Sequence, residues 1–473
     1  MSTVVVFACS FLKNKLLAVV LGVTGLGLVS QLSNFVGLLN YFVPLGIPNG
    51  LSKVVAEEQV TENEKLRYFL ESSLNMVLYP TILFSAIVFL LSDSISIFLL
   101  ESAEYSGYIR IISLAIPFIV LNSIMEGFLR GLKQIKLYVK LIIVSNIVNL
   151  LFLVPAVLLF GITGAVYGLI SSYLIYVIVS FFTLKKEGLL QGIRLFKSID
   201  GALFKKLLKV SFALLVSGAM FQLTLLILRK MIISEFGMYY NGIFQSVIGI
   251  SVNYFGFIFL SLSTYSFPTV SKLFLNEEIS NELNINVRYI VSLMVPLIIV
   301  LFVFRSFVIS ILFTSEFLPA EELFAFQFLG DFFKALSWSI GIWMIPKMKL
   351  KEFLLLEVIL NFNLIFFFWF MLAFLGNNLY FVSLSYLLAF AIHAVLNYVV
   401  AKRSLNFSFG NKNRMLLIVS LTFLIPVIFV SQYYVSIGYW LIFPVLISWL
   451  VLVVDKKEFE EFKVLLFSNR NTK

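Results

Sequence analysis

Apolar runs of about 20 residues recur along almost the whole chain, broken by short polar stretches. A helix rising about 1.5 Å per residue needs about that length to cross a bilayer core. The runs predict spanning helices at about 2–21, from the GVTGLGL turn (22–28) to GIPNGLSK (46–53), at 68–91, 108–129 and 137–160, and from a turn at 161–164 to about 185. A second set follows at about 207–236, 240–270, 287–313, 323–345, 353–375 and 380–400, with two further candidates at 415–430 and 435–454. The pattern divides the chain into a six-helix lobe (1–185), a connector (186–206), a second six-helix lobe (207–402), two additional helices (403–454) and a polar, basic tail (455–473). In the connector, Leu189, Leu190, Ile193, Phe196, Leu203 and Phe204 alternate with basic residues. That suits an amphipathic segment on an anionic membrane surface or a solvated linker. The first run has almost no polar segment before it and no cleavage site after it, so it reads as a span rather than a signal peptide.

One run departs from the pattern. EELFAFQFLGDFFKALSWSIGIWMIPKMKLK (321–351) is apolar enough to span, yet Asp331 and Lys334 lie near its middle. Each costs about 2.5–3.5 kcal/mol at a helix centre on an insertion scale, so such residues normally face protein or water. Gln327, Asp331, Lys334 and Trp338 fall on one stripe, at steps of four, three and four. Either this stripe lines a polar cavity, or Asp331 and Lys334 form a structural pair within one helix.

Composition narrows the class. Of 473 residues, 60% are hydrophobic and 13% charged, and the mean hydropathy is +1.02. This is an all-α polytopic membrane protein; β-barrel strands alternate and give no such runs. Cys9 and His393 are the only residues of their kinds. That excludes an intramolecular disulfide and argues against Cys- or His-based metal sites and His-containing triads. The net charge of +10 does not imply nucleic acid, because Lys and Arg crowd alternate loops, at 130–140, 185–197, 347–351 and 402–414. The loops near Gly22, Gly161, Gly237, Glu316, Gly376 and Ser436 are short and free of basic residues. The positive-inside rule then places both termini in the cytoplasm.

The two lobes repeat. Lys15, Gly22 and Gly27 recur as Lys230, Gly237 and Gly242, each 215 positions later; Ser52-Lys53 recurs as Ser271-Lys272 and Asn149 as Asn363 at offsets of 219 and 214. Six helices per lobe give both the same orientation, as in transporters built from parallel repeats with substrate bound between them.

Candidate chemistry lies in charges within the runs. Lys15, Arg229, Lys230, Arg305 and Lys334 are cations within helices. They either hold an anionic passenger or snorkel toward headgroups. A phosphate beside one fixed cation gains about 4 kcal/mol at 4 Å and an effective dielectric near 20. Asp331 is the deeper of two intramembrane acids; Glu126, one turn before Arg130, reads as a local pair. Lys334 could neutralise Asp331 until a pyrophosphate competes for it, leaving the carboxyl to take up a coupling ion, H+ or Na+. His393 reads as packing. No GxxxxGK[ST] loop is present, so no ATPase is built in.

The segments NKLLAVVLGVTGLGL (14–28), GIPNGLSKVVAE (46–57), LRKMIISEFG (228–237) and LFAFQFLGDFFKALSW (323–338) resemble Wzx-type polysaccharide flippases. These are the O-antigen and enterobacterial common antigen translocases of the multidrug/oligosaccharidyl-lipid/polysaccharide exporter superfamily. The resemblance is collinear over about 10–400. It implies a two-lobed, V-shaped fold and no catalytic residue. It implies translocation of an undecaprenyl-pyrophosphate-linked oligosaccharide, an O-antigen-like repeat unit, from the cytoplasmic to the periplasmic leaflet of a bacterial inner membrane. A cationic central cavity would take the pyrophosphate-sugar head, with Lys15, Arg229, Lys230, Asp331 and Lys334 in the matching segments and Gln327 and Trp338 lining it. The implied partners are the lipid-linked oligosaccharide, membrane lipids, a polysaccharide polymerase and chain-length proteins. No cofactor beyond the coupling ion is implied. Two features depart from the family: few polar residues precede the first helix, and fourteen helices exceed the usual twelve.

Three rival readings remain. A multidrug exporter of the same superfamily often carries organic cations, which the basic set matches poorly. A polysaccharide polymerase or ligase needs a substantial catalytic outer loop. An uncoupled lipid scramblase fits the same sequence.

Overall fold

The computed structural model describes residues 2–57, 63–188 and 200–453. Among them every regular element is helical: fifteen α-helices, two short 3-10 segments and no strand. Nine helices among the described residues are long and apolar enough to cross a membrane. The chain is a multi-pass membrane protein.

Two of the nine are double length. α1 (Ser2–Phe42) is two helices across a kink at Gly22 (φ 65°, ψ −169°). α2 (Ile47–Glu57), α3 (Asn63–Leu90), α4 (Ser92–Leu100) and α5 (Ser106–Gly131) follow. α6 (Ile135–Lys186) then kinks in the same way at Gly161 (φ 56°, ψ −127°). A side chain at these left-handed φ values would cost roughly 1–2 kcal/mol, so glycine sets each turn. The turns expected at 22–28 and 161–164 are therefore each made by one residue. The second set comprises α7 (Gly201–Phe236), α8 (Met238–Lys272), α9 (Asn276–Val303), α10 (Arg305–Leu312), α11 (Glu321–Gly341), α12 (Leu350–Leu375) and α13 (Tyr380–Leu405). α14 (Asn411–Tyr433) and α15 (Val435–Val453) are the two additional helices.

Four boundaries differ from the apolar pattern. The second run stops at Phe42, because Pro44 lacks an N–H and Leu45 and Gly46 have positive φ (53° and 73°). α2 is consequently separate and buries Ile47, Leu51, Val54 and Val55 on one side. α4 occupies residues that the pattern left unassigned. The run at 287–313 breaks at Phe304 (φ −94°, ψ 20°), so Arg305 opens α10 instead of lying deep in one helix. α7 begins inside the expected connector: the Asp200 carboxylate caps it by accepting the N–H groups of Ala202 and Leu203 at 2.9 and 3.1 Å. The connector's Leu189–Phe196 alternation and the tail at 455–473 lie outside the described residues.

The repeat is written into the backbone. Positive-φ glycines recur at Gly22 and Gly237 (237 − 22 = 215) and at Gly161 and Gly376 (376 − 161 = 215). α11 starts 215 residues after α5 (321 − 106), and α12 starts 215 after α6 (350 − 135).

The described helices form two compact units. The first comprises Met1–Ser246, Ser310–Pro319 and Phe368–Leu379. Its core runs through Leu28, Leu32 and Val36 of α1, Leu70 of α3, and Ile112, Ile116 and Phe128 of α5, all buried. The boundary does not follow the connector, because α7 packs along α1 and α2. A Cβ on Gly50 would stand 2.5 Å from the Leu207 carbonyl oxygen, and one on Gly218 2.3 Å from the Tyr41 ring. α8 also enters this unit: a Cβ on Gly242 would lie 2.0 Å from the Val23 carbonyl oxygen, and one on Gly27 2.5 Å from that of Met238. The repeat-related glycines thus meet where α1 and α8 cross.

The second unit comprises Val247–Ile309, Ala320–Phe367 and Tyr380–Lys473. α11 packs most extensively on α13, and α9 lies between α11 and α14. The Trp449 indole N–H donates to the Ser292 carbonyl at 3.4 Å, fixing α15 to α9.

Candidate functional site

α11 positions the polar stripe of the second unit. Glu321 and Glu322 occupy its first turn, where the helix dipole favours acids. The rest is apolar except for Gln327, Asp331, Lys334, small serines and Trp338. Asp331 is fully buried. Its carboxylate oxygens lie 2.7 and 2.8 Å from the Ser251 hydroxyl of α8, which donates to it, and one accepts the Tyr386 hydroxyl of α13 at 2.8 Å. Gln327 donates to the Ser251 oxygen at 3.2 Å. Three side chains from three helices thus converge on one acid, Gln327 by way of Ser251.

Lys334 completes the cluster. Its ammonium lies 5.9, 5.9 and 5.6 Å from the ring centroids of Phe259, Tyr386 and Phe390, close enough for cation–π attraction from each. Tyr386 therefore serves both charges: its ring faces the ammonium and its hydroxyl binds the carboxylate. Gly330 admits that ring, since a Cβ there would stand 2.4 Å from Tyr386 Cδ1. Trp338 packs on Phe259 with centroids 5.6 Å apart. Ser251, Tyr386, Phe259 and Phe390 escaped the sequence reading. Tyr386, Phe390, His393 and Asn397 do follow helical spacing on α13, a stripe that was legible; nothing near Ser251 marked it.

The other expected cations are held elsewhere. Arg305 is buried and pairs with Glu321 at 3.2 Å. It also donates to the carbonyls of Phe302 and Ser431, each at 3.1 Å, fastening the end of α14. It does not share the Asp331–Lys334 cluster, because its polar contacts are already spent on this junction. In the first unit, Arg229 is buried. It donates to Ser30 at 2.8 Å, to Asn241 at 3.0 Å and to Gln245. Among the described residues these acceptors are all neutral, so its charge is solvated by dipoles and not cancelled. Ser30 and Asn241 in turn each donate to the Gly27 carbonyl at 2.8 Å, tying Arg229 to the glycine crossing. Lys15 donates to the carbonyls of Ser310, at 3.0 Å, and Phe313. Lys230 pairs with Glu101 at 3.6 Å and lies 5.6 Å from the Phe98 ring centroid.

One minor expectation changes. His393 does more than pack: its Nδ1 lies 2.7 Å from the Ser337 hydroxyl, to which Asn397 also donates at 3.1 Å. Arg130 lies close enough to act on the Glu126 charge as expected, while its hydrogen bonds go to the main-chain carbonyl of Glu126 at 3.4 Å and the Asn49 side chain at 3.5 Å.

Residues 1–274, more than half of the chain, match the family described as polysaccharide biosynthesis protein. The chain belongs to that family. The match ends just beyond α8, so it takes in Lys15, Arg229, Lys230 and Ser251 but not α11 or α13. A lipid III flippase of Escherichia coli (strain K12) is 28% identical over 358 residues, 76% of this chain and 86% of that one. Among the solved structures that share the fold are the following two. One is an inward-facing multidrug resistance MATE family transporter of the MOP superfamily, with TM-score 0.74, 13% identity and coverage of 86% and 95% of the two chains. The other is the lipid II flippase MurJ in an inward closed conformation, with TM-score 0.70, 16% identity and coverage of 95% and 96%.

Proposed function

We propose that this protein is a flippase, not an enzyme. It would carry an undecaprenyl-pyrophosphate-linked oligosaccharide from the cytoplasmic to the periplasmic leaflet of a bacterial inner membrane, with both termini cytoplasmic. The family and the relative named for flipping lipid III support the class of passenger. The observation that carries the mechanism is the Asp331–Tyr386–Lys334 cluster, a carboxylate and an ammonium held within α11 where it packs against the apolar spans α9 and α13.

The cluster can exchange one positive charge for another. At rest, Lys334 is held by three aromatic faces and by attraction to Asp331. A pyrophosphate drawing on Lys334 weakens that attraction and leaves the carboxylate short of positive charge. Asp331 then takes up H+ or Na+. On protonation it gains one O–H to donate, and one of the Ser251 and Tyr386 hydroxyls must turn to accept it while the other can still donate to the remaining oxygen. One cluster would thus read both passenger and ion. A difference of about 1–3 kcal/mol between the two states suffices for coupling. The uncancelled charge of Arg229 adds a favourable field for an anion in the first unit.

The test is leaflet-specific flipping of a fluorescent lipid-linked oligosaccharide in vesicles, with and without proton or sodium gradients. Wild type should respond to a gradient, and Asp331→Asn should bind the lipid without responding. Gradient-driven flipping at the wild-type rate in Asp331→Asn would end the coupling proposal. Flipping that ignores every gradient in wild type would mark an uncoupled scramblase.

A further inference from the structure

Lys15 and Lys230 are repeat equivalents (230 − 15 = 215), and one partner of each, Phe313 and Phe98, is a repeat equivalent too. Lys230, from the second half, reaches Glu101 and Phe98 at the end of α4 in the first half. Lys15, from the first half, reaches the carbonyls of Ser310 and Phe313 at the end of α10 in the second half. Phe98 and Phe313 are again 215 apart (313 − 98), as are Glu101 and Glu316 (316 − 101). Glu316 itself lies against the Gly22 turn, 3.5 Å from where a Cβ would stand. Each lysine therefore crosses to the other half and sits at the C-terminus of a short helix, where unpaired carbonyls and the negative end of the dipole attract an ammonium. Both contacts lie beside the Gly22 and Gly237 turns, in the ends that the charge pattern assigns to the outer face.

We propose that Lys15 and Lys230 form a two-armed latch that holds the outer ends of the two halves together. The arms open when the passenger is released to the outer leaflet. The proposal rests on the alternating-access reading above and assigns these lysines to closure in place of pyrophosphate binding. The arms differ in kind. The Lys230 arm closes on a carboxylate, and the Lys15 arm closes on carbonyls alone. Charge reversal can therefore be rescued at one arm and not at the other.

The test uses the full chain in vesicles, with Cys9→Ala and spin labels at Glu104→Cys and Ser234→Cys, both exposed positions. Dipolar distances between them report the outer ends whatever the passenger is. Without Lys230→Glu one short distance should dominate. With it the longer-distance fraction should rise about fivefold, of the order expected for losing a partly exposed ion pair. Adding Glu101→Lys should restore the short distance. In a second measurement, joining Lys230→Cys to Glu101→Cys with a short, reducible bis-thiol cross-linker that spans the reach of the two lost side chains should stop flipping, and a reductant should restore it. An unchanged distance distribution in Lys230→Glu would overturn the latch. So would undiminished flipping by the cross-linked double-cysteine protein. If the distances shift as expected while no lipid-linked sugar is flipped by wild type, the latch stands and the assigned passenger is wrong.

Discussion

The two halves of the repeat place different chemistry at the same positions. Subtracting 215 from Gln327, Asp331 and Lys334 gives Ile112, Ile116 and Ile119, and subtracting it from Ser251 gives Val36. All four apolar residues are buried in the first unit. The same helical framework, with starts and glycine turns in register, thus packs around an aliphatic core in one half and around an acid, an amine and their donors in the other. The framework has no need of the charges. Burying a charged pair is often neutral or unfavourable compared with aliphatic packing, and its presence in α11 alone is what the coupling proposal builds on. The halves differ a second time. α8 runs unbroken from Met238 to Lys272, whereas its counterpart is interrupted between α1 and α2 by Pro44 and Gly46.

The sharpest way to test this contrast is to make one half imitate the other. Lys334→Met alone should leave the Asp331 charge without its cation and destabilise the protein by about 3–5 kcal/mol, measured by thermal unfolding in detergent. Asp331→Ile with Lys334→Ile copies the first half and should return stability to within about 1 kcal/mol of wild type, yet abolish gradient-driven flipping. Loss of folding in that double variant would show that the charges hold the second unit together.

A smaller effect is expected where the halves agree. Gly242→Ala presses a Cβ onto the Val23 carbonyl and should cost about 1–3 kcal/mol, as should Gly27→Ala on the other side of the crossing. An unfolding series that finds either substitution silent would mean that the crossing has slack.

The interrupted helix gives the next effect. Gly46→Ala forces a side chain to φ 73° and should cost about 1 kcal/mol of backbone strain, a strain without a counterpart along α8, where no positive φ occurs among the described residues. The smallest belongs to the joint between the halves. The Tyr68 hydroxyl and the N–H groups of Leu203 and Ala202 hold the Asp200 carboxyl below its usual range. A group with a depressed folded pKa contributes stability above its unfolded pKa and loses it as pH falls through the folded one. The stability gap between wild type and Asp200→Ala should therefore be present at neutral pH and close below about pH 4. A gap unchanged in acid would show that the charge plays no part in the cap.

Much of this was legible because membrane helices advertise themselves. A run of about 20 apolar residues is costly in water and favourable in lipid whatever its neighbours do. The α1 and α6 kinks were legible as glycine-rich turns, since only glycine takes their φ cheaply. The α11 stripe was legible because a mid-span Asp and Lys on one face demand polar company. What escaped was the company itself. Ser251 lies 80 positions from Asp331 (331 − 251), and an ordinary serine in an apolar run carries no local signal. Arg305 looked like a cavity cation because its run is continuous in hydropathy, and the break at Phe304 is a matter of packing rather than composition.

From local pattern alone came the helical membrane class, most of the apolar helices, the repeat, and the presence of an acid and an amine together on α11. Each is decided by residues close in the chain or by a fixed offset. The count did not follow, since fourteen spans were expected and nine helices among the described residues, two of them double length, are long and apolar enough. Only the tertiary structure decided which of five helical cations are committed. It bound Arg305 to Glu321 and Ser431, gave Arg229 neutral acceptors around the glycine crossing, sent Lys15 and Lys230 to short helix ends in the opposite halves, and caged Lys334 in three aromatic rings. An ammonium or guanidinium is alike in every sequence context. What it does depends on which acceptors and rings the packing brings within a few ångströms, and those come from other helices.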